Sequence, residues 1–283
     1  MSVTEFSIAG PNDGPYGVAV AKGEVWTTLV HAGVVARLSG ERLDLEAVGS
    51  RPSVIVPGPD DAVWFTRSGD DRIGRIATGS REVAAIEVPG GGSPYGICIG
   101  PDDAVWFTLM NTDQIGRLTA DGEVSTYPIG TTGAFPAMIT AAEELWFTLN
   151  QGNAIGRMTT TGSVTTYPLP TEAAGPVGIS AGADAVWFVE ILAGQAGRIT
   201  PDGTIEEFPL PAGSKPHAVV ATDDGGCWIT LWGAAAVARL DAAGNLIEQI
   251  GLGAGSEPHG LALDADGSVW VALEKGSVAH IQP

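Results

Sequence analysis

The chain has 283 residues, 44% of them hydrophobic, with 14 Lys and Arg against 33 Asp and Glu for a formal net charge of -19. So apolar a chain is not disordered, and so acidic a surface repels phosphate backbones and anionic membranes, which excludes nucleic acid and membrane partners. No apolar run reaches the roughly 20 residues of a bilayer span, and the opening MSVTEFSIAG lacks the basic-then-apolar pattern of a leader.

In chain order, VTEFSI comes first, an alternating segment of strand type. Then a unit of about 40 residues recurs seven times. Its first marker is a proline: Pro15, Pro52, Pro94, Pro136, Pro176, Pro216 and Pro258. Its second is a tryptophan: Trp26, Trp64, Trp106, Trp146, Trp187, Trp228 and Trp270. Its third is an arginine, usually within IGRI or IGRL: Arg37, Arg75, Arg117, Arg157, Arg198 and Arg239, with His280 in the last unit. Each unit closes on an alternating segment such as VSTYPI, VTTYPL or IEEFPL, and turn signals such as PDD and DGE separate the pieces.

Four short strands per repeat predict an all-β, seven-bladed β-propeller, one domain over residues 1–283. The 40 Gly serve as turn markers. The last unit stops after its third strand, so the N-terminal segment is expected to supply the fourth strand and close the last blade. Cys98 and Cys227 fall inside predicted strands and read as buried free thiols, which fits a reducing cytoplasm. Self-repulsion of the acidic surface points to a monomer.

With strands a to d running outward in antiparallel order, the d–a and b–c turns share one face. Along that face the repeat is least uniform. The residues before the proline are Gly14, Arg51, Ser93, Phe135, Gly175, Lys215 and Glu257; those after it are Tyr16, Ser53, Tyr95, Ala137, Val177, His217 and His259. The b–c row holds Val30, Ser68, Met110, Asn150, Ile191, Trp232 and Glu274. Titratable groups gather in the sixth and seventh units. Glu257 and Glu274 suit a hard cation such as Mg²⁺, and His259 or His217 suits general base work. Trp232 suits an aromatic ligand at a pocket rim. His31 and His280 read as bystanders, and the arginine row as a brace.

PYG, AVWFT, NAIGR, GPVGI, VWFVE, KPHAV, LWGA, EPHGL and VALE, in this order, resemble the virginiamycin B lyase (streptogramin B lyase) family over essentially the whole chain. The resemblance implies a Mg²⁺-dependent carbon–oxygen lyase that opens cyclic depsipeptide antibiotics at their threonyl ester and so confers resistance. By position in those motifs it implies His259 as the catalytic histidine, Glu257 and Glu274 as metal ligands, and His217 and Tyr16 as substrate contacts. Trp232, Tyr95 and Phe135, with Met110 and Ile191, complete the expected pocket for the apolar ring. Leu109, Leu149 and Leu231 depart from the family's acidic residue at the end of strand b, and the turn before Glu274 is one residue longer. A metal-dependent lactonase propeller of the gluconolactonase type and a non-enzymatic binding propeller are the alternatives.

Overall fold

A computed structural model of the chain describes residues 1–45 and 49–282. It is all-β, a seven-bladed β-propeller with four antiparallel strands in each blade. The first strands of the blades are Pro15–Ala21, Pro52–Pro57, Pro94–Ile99, Pro136–Ala141, Pro176–Ala181, Pro216–Ala221 and Pro258–Leu263, so each begins on the marker proline. Helical structure among the described residues is one 3-10 turn, Trp232–Ala234.

By contact density the chain forms two compact units, Met1–Ile97 with Leu252–Pro283, and Cys98–Gly251. The first unit contains the closure expected from sequence. Ser2–Ser7 pairs antiparallel with Ser277–Gln282, from Ser2 opposite Gln282 to Ser7 opposite Ser277. That sheet runs Ser2–Ser7, Ser277–Gln282, Val269–Leu273, Pro258–Leu263 from its outer edge inward.

The cores lie between blades. In the first unit Trp26 and Val35 pack with Ile55, Val63, Phe65 and Ile76; in the second, Trp106 and Ile115 pack with Ile139, Phe147, Leu149 and Met158. The second strand of each blade is covered on both faces, which is why it reads as a continuous apolar run such as AVWFT. The fourth strand Val83–Glu87 alternates exposed and half-buried residues. The glycine of IGR has a steric cause: a Cβ on Gly74 would lie 2.2 Å from the Phe65 ring.

The arginine row braces as expected. Arg37, Arg75, Arg117, Arg157, Arg198 and Arg239 each stand over their own blade's tryptophan at 5.3–5.7 Å. His280 keeps that role by stacking on Trp270 at 3.9 Å and 7°. Cys98 and Cys227 are free thiols inside strands.

Candidate active site

Two backbone devices set the site face. The first ties the d–a turn to the b–c turn of the same blade. The amide of Val30 donates to Gly14 O (2.8 Å), that of Asn150 to Phe135 O (3.0 Å), that of Trp232 to Lys215 O (3.2 Å) and that of Glu274 to Glu257 O (3.2 Å). The two turns therefore do share a face, and the residue before each proline holds a left-handed backbone to make this bond. Glu257 sits at φ 46°, Lys215 at 43° and Phe135 at 54°, where a non-glycine residue is strained. The second device is a β-bulge just after the proline, as between Pro258 and Leu261 in the last blade and between Pro15 and Val18 in the first. His259 and Tyr16 both stand inside these bulges.

Neighbouring first strands approach closely at this level. A Cβ on Gly260 would lie 2.7 Å from Tyr16 O, so only glycine lets the strand of His259 run against the strand of Tyr16. A threonine in strand b then holds the neighbouring blade's site row through its carbonyl. Thr28 Oγ1 donates to Ser53 O (2.6 Å), Thr66 to Tyr95 O (2.7 Å) and Thr148 to Val177 O (2.7 Å). The WFT motif was visible in the sequence; this use of its threonine was not.

In the first unit the structure gathers His259, Glu274, Glu257, Tyr16 and Tyr95, and adds His31. Glu274 accepts from two imidazoles. His259 Nε2 lies 2.6 Å from Oε2, and His31 Nε2 lies 2.9 Å from Oε1. The reading of His31 as a bystander is thus corrected: the b–c turn of the first blade carries it onto the carboxylate of the last. Burial pulls the His259 imidazole below the ordinary histidine range, although Glu274 and Glu257 oppose this. Burial pushes the Glu274 carboxyl up, but the bonds from His31 and His259 outweigh it and hold the group ionised. The Tyr16 ring packs 4.5 Å from the His259 ring, and its hydroxyl hydrogen-bonds that of Tyr95. Burial raises both phenols, so they remain protonated.

The residues expected in the sixth and fourth blades belong to the second unit. His217 is half-buried in the bulge between Pro216 and Val219. Phe135 is half-buried, its amide donating to Asp113 Oδ1 at 3.0 Å. Trp232 opens the 3-10 turn and lies under the Lys215 ammonium.

The expected cation can be tested on the donor set. Among the described residues no group of three His, Cys, Asp or Glu side chains stands at metal-holding spacing, so there is no closed protein cage. What the last blade offers is two carboxylates on turns tied by one backbone bond, with Glu257 exposed and in no ion pair. Mg²⁺ commonly binds through one or two carboxylates and keeps several waters, so Glu257 and Glu274 fit it.

A seven-bladed propeller carrying a buried neutral imidazole, a paired carboxylate and protonated phenols at one end of its first strands is equipped as an acid–base enzyme. A family model described as the virginiamycin B lyase family matches residues 1–281. The chain belongs to that family, which is one of lyases. It is similar to a streptogramin B lyase of known structure, with 37% identity, a TM-score of 0.94, and coverage of 99% of this chain and 97% of that one. It is equally similar to a catalytically inactive histidine-to-alanine variant of virginiamycin B lyase from Staphylococcus aureus, solved with quinupristin (36% identity, TM-score 0.94, 100% and 99% coverage). A virginiamycin B lyase from Nocardia farcinica is 44% identical over 141 residues, and the match spans 46% of each chain, about half the length of this curated relative.

Proposed function

We propose that this protein is a metal-assisted carbon–oxygen lyase that linearises streptogramin B antibiotics by elimination at their threonyl ester, conferring resistance, and that it works as a monomer in the cytoplasm. The observation that carries the reading is the array His259–Glu274–His31 in a chain of this family. The S. aureus relative, inactivated by loss of one histidine and solved with quinupristin, supports a cyclic depsipeptide substrate handled by an imidazole.

The chemistry follows from the groups. The hydrogen on the α-carbon of an acylated threonine is weakly acidic, and the ester oxygen on its β-carbon can leave as a carboxylate. His259, held against Glu274 through Nε2, is the base assigned to accept the α-proton. Glu274 stabilises the imidazolium that forms, and His31 holds the carboxylate's rotation. As the C–H bond breaks, its electron pair forms the Cα=Cβ bond. As that double bond forms, the Cβ–O bond breaks with its pair on the departing carboxylate. Glu257 and Glu274 would hold a divalent cation, whose positive charge would favour enolate character at the adjacent carbonyl. Tyr16, its ring packed at a tilt against that of His259, and Tyr95, hydrogen-bonded to Tyr16, keep the imidazole in place and exclude water from one side. His217, Trp232 and Phe135 are assigned to ring contacts.

Mass spectrometry of a streptogramin B incubated with the protein decides this reading. Elimination gives a linear product of unchanged mass, lost with EDTA and with His259→Ala. A product heavier by one water, or a reaction indifferent to EDTA, would overturn it.

A further inference from the structure

Every Lys and Arg among the described residues pairs with a carboxylate, except Arg51 and Lys215. In a chain of net charge -19, a cation left without a counter-charge stands out. Lys215 is exposed, at φ 43°, directly before Pro216. Its ammonium lies 5.2 Å from the centre of the Trp232 ring. The turn under the pair is fixed: the amide of Trp232 donates to Lys215 O (3.2 Å), the amide of Gly233 donates to Ser214 O (2.9 Å), and a Cβ on Gly233 would meet Gly213 O at 2.4 Å. The Trp232 Nε1–H is buried and has no acceptor.

Beside this pair runs a groove of about 370 Å³, walled by Ile191, Leu192, Leu210 and Pro211. Apolar walls and a cation with no counter-charge meet at one place. A neutral hydrocarbon would answer only the walls, and a phosphate only the charge. An apolar monocarboxylate answers both. We propose that this groove binds the carboxylate of a small hydrophobic acid through Lys215, with Trp232 and the aliphatic walls taking its apolar body. Two sources share this chemistry: a free aromatic or aliphatic acid, and a linear peptide whose ester has become a carboxylate. The second source rests on the lyase reading above; the groove itself does not.

Isothermal titration of the full chain with N-acetylphenylglycine, its uncharged primary amide and linearised streptogramin B tests the proposal. The acid is expected to bind at least tenfold tighter than the amide, and added salt should weaken only the acid. Lys215→Met should erase the difference. Lys215→Gly should do the same with a relaxed backbone, since Gly14 and Gly175 hold this row in other blades. Trp232→Phe should weaken the acid severalfold. Tighter binding of the linear peptide than of the simple acid assigns the peptide as the source, and the reverse order assigns a free acid. The proposal is overturned if acid and amide bind alike, if neither the acid nor the linear peptide binds, or if both Lys215 variants bind like the parent. Streptogramin turnover by the parent protein, followed alongside acid binding, separates the two readings. Acid binding by a protein that turns over no streptogramin leaves the groove standing without the lyase. Turnover without acid binding does the opposite.

Discussion

His31 Nε2 lies 2.9 Å from Glu274 Oε1, across 243 residues of sequence. The bond fixes one carboxylate oxygen and leaves the other facing His259 at 2.6 Å. His31 is a positioning residue here, acting on the imidazole through the carboxylate. With its side chain 49% exposed, the bond is partly screened, and His31→Ala is expected to lower kcat about tenfold. KM should change little. His31→Gln, which keeps a donor, should recover part of the loss. A kcat unchanged in His31→Ala would remove His31 from the site.

Glu257 combines a strained backbone with an exposed carboxylate. Glu257→Gly relieves the first and removes the second, and the first and fifth blades already carry Gly14 and Gly175 in this row at φ 67° and 65°. The variant should melt at or slightly above the parent's temperature, a gain of up to about 1 kcal/mol, while losing most activity and metal affinity. Glu257→Gln should lose activity as well without the gain in stability. Retained affinity for Mg²⁺ in both variants would exclude Glu257 as a ligand.

At the end of strand b the chain carries Leu29, Leu109, Leu149, Leu231 and Leu273, but Arg67 in the second blade and Glu190 in the fifth. Glu190 is fully buried; Gln195 Nε2 donates to its Oε2 at 2.6 Å, and Oε1 has no partner. Burial, aided by nearby Glu207, raises the carboxyl from 4.5 to about 8. Between those values the folded protein holds a proton that the unfolded chain has released. Stability therefore falls as pH rises through this window and levels off above about 8. Glu190→Gln keeps the shape without the charge. It should match the parent near pH 5 and exceed it near pH 9 by on the order of 1–3 kcal/mol, several degrees in thermal unfolding. Parallel unfolding curves for the two proteins from pH 5 to 9 would contradict this.

Cys98 and Cys227 are held in strands, and burial pushes both thiols far above their ordinary range. The native protein should resist iodoacetamide at pH 8 and take up two labels on denaturation. Rapid labelling of the folded chain would show that a thiol is accessible.

The sequence by itself determined the blades. Proline, tryptophan and arginine rows of one period each have a local cause: the proline starts strand a, the tryptophan lies in the buried strand b, and the arginine stands over that tryptophan. It also determined that Glu257, His259 and Glu274 share a face, because antiparallel order alone puts d–a and b–c turns at the same end. The threonine that holds a neighbour's carbonyl was visible only as part of a motif. His31 could not be read at all, because its neighbour Val30 holds the position that Glu274 holds in the last blade, and nothing local marks the next residue. Only the tertiary structure decided its role. Side chains 243 residues apart meet because the N-terminal strand completes the last blade and a glycine lets the strands of Tyr16 and His259 run in contact. Periodicity records what each blade needs for itself; a contact between the first and last blades is fixed by closure, which no repeat unit encodes.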